Sequence, residues 1–309
     1  MSHSGFLILN KPTCERSTHC VEIVRKKLGK KVKVGHGGTL DSTACGVLVL
    51  LIGAATRLSN IVMSLPKCYD TTIQFGAETD TDDASGNITR QASFDKLTTD
   101  DIDEMLPAFF GWRMQTPPNV SAVHVDGRRA HELTRSGETV QIAAKPVYFE
   151  RVLRTSEFSD AGQVSFQIHC QKGTYIRSFG RDLARALDCA GHLCFLQRNF
   201  VGPFTLERAI DMAELENMSC DEIYARLLPL DLLCEALPSC RAGDAVDKKL
   251  SLGQDVAFSE VSEQQIGNMN NSFSDNILLM TKNYFAVADF VIKDVVMLHP
   301  SINLFVGEK

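Results

Sequence analysis

A chain of 309 residues, 44% hydrophobic and 23% charged, is long enough for one large domain and a small one, or two medium ones, and apolar enough to bury its own core. Its net charge of −6 argues against a uniformly basic nucleic-acid binder. No apolar run approaches the roughly 20 residues of a membrane helix, and the start MSHSGFLILNKP lacks the basic, long apolar and small-residue segments of a secretory signal. No membrane association and a cytoplasmic location are therefore expected.

In chain order, Gly5 to Leu9 reads as a strand ended by Lys11-Pro12. Ser17 to Leu28 reads as a helix capped by Ser17 or Thr18, with Val21, Val24 and Leu28 on one face. Gly35-His36-Gly37-Gly38 reads as an irregular loop. Val47 to Ile52 is a buried strand, Ala54 to Leu65 a helix and Tyr69 to Phe75 a strand. Thr79 to Gly86 is an acidic turn, and Thr99 to Phe110 a helix with Asp100 and Asp101 near its positive end. Thr116-Pro117-Pro118 must be extended. Two strands follow, Val147 to Glu157 and Gln163 to Cys170. Thr174, a candidate cap, opens a helix to Leu187 that carries Arg177, Arg181 and Arg185 near one stripe.

Beyond Leu237 come short strand-like runs, Asp255 to Phe258, Ile277 to Met280, Tyr284 to Ala288 and Val291 to Met297, around the polar stretch Glu263 to Asn271. The elements lack a regular βαβ rhythm. The expected class is α+β, with residues 1–236 as the main domain and 237–309 as a small β-rich one.

Charge is polarised along the chain. Residues 1–36 hold eight Lys and Arg against Glu15 and Glu22, whereas residues 70–104 hold ten acids against Arg90 and Lys96. Such a chain can present a basic face to phosphates and stay acidic overall, although a basic run is more often a solvated helix face. The ten cysteines include no Cys-x-x-Cys, and Cys189 and Cys194, with His192 between them, have no second ligand pair at zinc spacing. Reduced, buried cysteines and no metal are expected.

Two segments carry chemistry. Gly35 to Gly46 leaves Asp41 on a glycine-loosened loop beside a buried strand, where a carboxylate can face a cleft. By itself such an Asp is more often a turn residue bonded to its own backbone. Lys172-Gly-Thr-Tyr-Ile-Arg177 joins a strand to a helix and sets a cation in the first turn, against the helix dipole. A residue so placed suggests another task, and pairing with an acid such as Asp41 fits.

Gly35-His-Gly-Gly-Thr-Leu-Asp-Ser-Thr-Ala-Cys-Gly46 resembles the GHTGTLDPxATG motif of the TruB-type tRNA pseudouridine synthases. Further elements in the same order are Lys67-Cys-Tyr69 (K-x-Y), Thr79 to Gly86 (TDTxDxxG), and Gln115-Thr-Pro-Pro118 with Ser121-Ala122 and Gly127 (Q-x-P-P…S-A…G). KGTYIR at 172–177 is unchanged, and Leu196 with Arg198 resembles the late L-x-R element. Departures are Cys14 for a glycine, one extra residue before Ser17, Ser42 for proline, and Asn119 and His131 for aromatics.

The resemblance implies a pseudouridine-synthase fold, mixed and largely antiparallel, with a C-terminal domain of PUA-like type. It implies catalytic Asp41, active-site Tyr69 and Arg177, and RNA contacts by Lys11, His36, Asp83, Lys172 and Leu196. For Tyr69 a core strand position, and for His36 a structural one, are the alternatives. It also implies base flipping, no cofactor, the tRNA T-arm stem–loop (position 55) as substrate, no obligatory protein partner and a monomer. Two rivals are a non-catalytic tRNA-binding or folding protein and a guide-dependent rRNA pseudouridine synthase.

Overall fold

The structure, a computed structural model, describes residues 3–121, 124–125, 128–129, 142–261, 263–265 and 276–307. Ala122, Gly127, His131 and the part of the polar stretch after Gln265 lie outside the described residues. The fold is mixed α+β and divides into two compact units. One holds residues 1–41, 46–65 and 200–309, the other residues 42–45 and 66–199.

In the first unit, strand Gly5–Lys11 pairs antiparallel with Cys45–Ile52, from Gly5 opposite Ile52 to Lys11 opposite Gly46, and parallel with Ile210–Asp211. The central strand reads VLVLLI without polar interruption because both its faces are covered. Leu48, Leu50 and Ile52 pack with Cys20, Val21, Val24 and Leu28 of helix Ser17–Leu28. Val47, Val49 and Leu51 pack in a second cluster with Leu278, Phe285, Val287 and Leu304. Those last residues belong to a six-stranded sheet built between Ser239 and Phe305.

Several expectations need correction. Gly35 and His36 lie in a short strand, Val34–His36, paired with Leu50 to Ile52, so the irregular loop starts only at Gly37. Ala54 to Leu65 is not one helix: a 3₁₀ segment, Gly53–Leu58, precedes an α-helical turn, Ser59–Ser64. Val291 to Met297 is not one strand, because Tyr284–Ile292 and Val296–Phe305 form an antiparallel hairpin with Ile292 opposite Val296. A helix at Asp244–Ser251 was not foreseen.

In the second unit the strand order is Gly191–Val201, Lys67–Phe75, Gln163–Cys170, Lys145–Arg154, Gly111–Gln115. The registers run antiparallel, with Tyr69 opposite Ile168 and Val147 opposite Arg113. Strands 111–115 and 191–201 escaped the sequence reading; in the first, the alternating apolar residues Trp112 and Met114 are the exposed ones. Helix Ile176–Ala186 packs on this sheet through Phe179, whose ring lies 5.1 Å from Phe109, 5.6 Å from Phe166 and 5.7 Å from Phe149. Helix Thr99–Met105 carries a full capping box between Thr98 and Asp101 and yields to a 3₁₀ turn at Leu106-Pro107. Among the described residues no cysteine forms a disulfide, and half fit the expected burial: Cys20, Cys68, Cys170, Cys189 and Cys240 are buried, whereas Cys14 and Cys194 are exposed. Among the described residues no helix is long and apolar enough to cross a membrane.

Cys14, at the glycine position of the motif, adopts φ 66° on the exposed surface. An L-residue held there carries roughly 1–2 kcal/mol of steric strain, which glycine would relieve at a smaller cost in chain entropy. Cys14→Gly is therefore expected to raise Tm by about 2 °C in a calorimetric scan. A lowered Tm would show that the turn is unstrained.

Candidate active site

The first unit carries the Asp41 loop. His36 closes its strand, and its Nδ1 lies 3.3 Å from the Gly38 N–H. A Cβ on Gly37 would stand 2.3 Å from Val62 Cγ1, and Gly38 has φ 116°, so only glycine serves at both positions. Leu40 then turns inward and is buried. The Ser17 hydroxyl donates to Leu40 O and accepts from Leu40 N–H, both at 2.9 Å. Ser17 is thus not the helix cap. Arg16 holds that position with no side-chain cap bond, and Thr18 does not supply one. Asp41 follows at once and is exposed.

Lys11, expected to take RNA phosphates, belongs to the same unit. It is fully buried, and its ammonium donates to Pro12 O and Glu15 O at 2.8 Å each, which holds the 11–16 turn together. Burial of an ammonium requires such carbonyl partners. Of the basic run, Arg25 and Lys27 also bond backbone carbonyls, those of Val34 and Met218, while Lys26, Lys30, Lys31 and Lys33 remain exposed.

The second unit carries the other candidates. Arg177 is only 5% exposed. Its Nη1 donates to Thr81 O at 2.9 Å, its Nη2 to Val120 O at 3.1 Å, and its Nε lies 4.0 Å from Asp83 Oδ2. Those partners explain why a cation sits in a first helical turn that has no acid and no side-chain cap. Thr174, the expected cap, instead donates to Gln171 O. Tyr175 is the N-cap, and Gln115 grips it with both ends of its amide: Nε2 donates to Tyr175 O at 3.1 Å and Oε1 accepts from Tyr175 N–H at 2.9 Å.

Asp83 is buried inside its own loop. Its Oδ1 accepts from Thr81 Oγ1 at 2.8 Å, Ser85 N–H at 2.9 Å and Ser85 Oγ at 2.5 Å, while Thr43 Oγ1 lies 3.4 Å from Oδ2. Burial pushes this carboxyl up, but the Ser85 and Thr81 donors and Arg177 outweigh it and hold the pKa below the usual value. The carboxylate therefore stays charged beside Arg177. Asp83, expected to contact flipped nucleotides, thus has Oδ1 engaged by its own loop and Oδ2 facing Thr43 and Arg177.

The helix continues this pattern at one-turn intervals. Arg181 Nη1 reaches Asp82 Oδ2 at 2.6 Å, and Arg185 takes Glu78 in a fork, with Nε to Oε1 at 2.9 Å and Nη2 to Oε2 at 2.6 Å. The i, i+4, i+8 arginines and the acids Glu78, Asp82 and Asp83 were both visible in the sequence, but their mutual pairing was not. Burial pushes Asp82 up to about 6, against the pull of Arg181 and Arg177. Glu78 behaves oppositely: burial raises it, yet Arg185 and Arg90 bring it down to about 2.

Because its folded pKa lies below the unfolded value, Glu78 stabilises the protein above about pH 4.5 and loses that contribution as pH falls toward 2. Its two arginines are half-exposed, so the effect is on the order of 1–2 kcal/mol. Glu78→Gln should lower neutral-pH stability by that order and flatten its decline between pH 5 and 2, read by urea unfolding at several pH values. A parallel decline in both proteins would assign acid lability elsewhere.

Tyr69 is nearly buried on the sheet face that alternates with Asp70 and Thr72. Two residues before it, burial reinforced by Arg198 pushes the Lys67 ammonium down to about 7. Lys172 is exposed in the turn before the helix, next to Gly173 at φ 85°. Leu196 is buried in strand Gly191–Val201, and its carbonyl lies 3.6 Å from Cys45 Sγ. The unit thus brings Asp83 and Arg177 together and leaves Lys172 on the surface. Ser17, Gln115, Glu78, Asp82 and the paired use of Arg181 and Arg185 are the features that sequence reasoning missed. Among the described residues, no three His, Cys, Asp or Glu side chains are grouped to hold a metal ion.

Residues 25–176 match the model of the TruB family pseudouridylate synthase N-terminal domain. A protein called tRNA pseudouridine synthase B from Corynebacterium efficiens is 40% identical over 243 residues, spanning 76% of this chain and 82% of that protein. Its namesake from Paracoccus denitrificans is 40% identical over 265 residues, 84% of this chain and 87% of the relative. Among solved structures, a chain of a Cbf5-Nop10-Gar1 complex superposes with TM-score 0.71 at 20% identity, over 97% of this chain and 84% of that one. A chain of the archaeal box H/ACA sRNP Nop10-Cbf5 complex gives TM-score 0.69 at 18% identity, over 97% and 86%. At such identity the two structures speak to fold alone.

Proposed function

We propose, from the premise that this chain belongs to the TruB family of pseudouridylate synthases, that it is an isomerase converting a tRNA uridine to pseudouridine, at position 55 of the T-arm loop. The observation that carries the reading is 40% identity to proteins of that activity over more than four-fifths of their length. The retention of a buried arginine beside a charged aspartate, at the end of KGTYIR, supports it chemically.

The reaction breaks the bond from uracil N1 to C1′, turns the base, joins C5 to C1′, releases the C5 proton to solvent and returns a proton to N1, so that product and substrate have the same composition. In this reading Asp41 attacks at the ribose as a carboxylate, and Arg177 is the cation that favours its ionised form. Tyr69 stacks on the base and helps to remove the C5 proton. The target base must first leave its stack, at about a few kcal/mol. His36 fills the vacated space or stacks on a displaced base, and Lys172 with Lys26, Lys30, Lys31 and Lys33 takes phosphates. Leu196 lines the RNA side. Recognition rests on loop shape and splayed bases. Residues 1–236 form the catalytic domain and 237–309 a PUA-like RNA-binding module. The enzyme acts as a monomer in the cytoplasm, without protein partners.

The test is turnover by the purified chain on a T-arm stem–loop carrying 5-tritiated uridine, with tritium release as the readout. Multiple turnovers without added protein or guide RNA are expected. Tight binding without release would favour the non-catalytic reading, and release that depends on guide and partner proteins the guided one.

A further inference from the structure

We propose that Ser17 is a positioning residue for Asp41, acting through the backbone of Leu40. The inference rests on Asp41 being the attacking group. Ser17 begins helix Ser17–Leu28, where serine ordinarily caps the helix by accepting a free N–H of the first turn. Here the start of the helix has no side-chain cap, and the hydroxyl reaches 23 residues along the chain. It satisfies both polar groups of one residue, donating to Leu40 O and accepting from Leu40 N–H at 2.9 Å each. Ser17 and Leu40 are both buried, so water does not compete for these bonds.

The location of the clamp matters more than its strength. The preceding residues Gly37 and Gly38 leave the loop backbone with few side-chain restraints, and Asp41 itself is exposed. Leu40 is therefore the last point before Asp41 at which the scaffold can fix where its Cα begins. The clamp restrains both peptide planes that flank the Leu40 Cα, one through its N–H and the next, which leads into Asp41, through its C=O, whereas a single hydrogen bond would restrain only one. Since the helix buries Cys20, Val21, Val24 and Leu28 in the core, the hydroxyl is anchored to a rigid element. Displacing a reacting group by about 1 Å costs on the order of 100-fold in rate. Loss of the clamp should thus appear in kcat and not in RNA affinity.

The experiment compares Ser17→Ala, Ser17→Thr and Val24→Ala with the intact protein, measuring single-turnover rate, tRNA Kd and Tm. Asp41→Asn serves as the control on the underlying reading. Ser17→Ala should lower the rate at least tenfold with Kd within twofold. Ser17→Thr, which keeps a hydroxyl, should recover most of it. Val24→Ala, which loosens the same helix from the core, should lose Tm but keep its rate. A Ser17→Ala rate within twofold of the intact protein overturns the proposal while an inactive Asp41→Asn leaves the role of Asp41 standing. An equal rate loss in Val24→Ala also overturns it, since the effect is then general loosening. An active Asp41→Asn removes the premise itself. If Ser17→Ala does not fold, Ser17→Cys, of similar volume and weaker hydrogen bonding, is held to the same criteria.

Discussion

Replacement of Asp41 by asparagine is expected to yield a folded protein that binds tRNA and forms no detectable pseudouridine. Asp41 is exposed on a loop whose shape is set by its neighbours: Gly37 against Val62, and Leu40 held by Ser17. The amide has the same size, so stability should change by less than about 0.5 kcal/mol. What disappears is the negative charge. A neutral amide is a poor nucleophile and a poor base, and loss of such a group lowers rates by about 10⁴-fold or more. Tritium release in single turnover, with a filter-binding Kd beside it, separates the two effects. A mutant turning over within tenfold of the intact enzyme would remove Asp41 from the chemistry.

Arg177→Ala should damage both stability and rate. The side chain is buried, and its partners include Thr81 O, Val120 O and the Asp83 carboxylate. Truncation leaves two carbonyls without their donor and a buried carboxylate without its cation. Removing one member of a buried ionic group typically costs about 3–5 kcal/mol. The rate should fall at least about 100-fold, because the loop from Thr79 to Gly86 loses its brace. Arg177→Lys separates charge from shape. It keeps the cation but lacks the planar fork that serves Thr81 O and Val120 O at once, so stability should return in part and rate much less. Urea unfolding and turnover measured on the same preparations test both parts. Full activity in the lysine variant would mean that charge alone matters.

The local pattern of the chain revealed what its local physics determines. The limits of helix Ser17–Leu28 and strand Gln163–Cys170 were legible because apolar periodicity and turn residues agreed there. Asp41 and Arg177 stood out because each is odd for its position, one on a glycine-rich loop and the other against a helix dipole. Interactions between distant segments were not legible. Lys11 reads as a surface lysine beside a proline, yet its burial depends on the carbonyls of Pro12 and Glu15 turning toward it. Ser17 reads as a cap, and only the approach of Leu40 gives it a different partner. The Glu78, Asp82 and Asp83 run reads as a solvated acidic turn until the arginine stripe is laid along it. Strand Gly111–Gln115 keeps a two-residue period, but its apolar Trp112 and Met114 lie on the exposed face, the reverse of the usual pattern.

The amide grip of Gln115 on Tyr175 and the hydroxyl grip of Ser17 on Leu40 have a shared consequence. Each reproduces, with one side chain, the pair of bonds that an antiparallel neighbour would supply to a strand residue. The segments just ahead of Asp41 and Arg177 thus have the protection of a sheet interior without belonging to one. Deuterium uptake at the Leu40 and Tyr175 amides should be as slow as in the paired strands, although both residues lie outside the helices and strands. Two short stretches of apparent coil would then be among the last parts of the molecule to open.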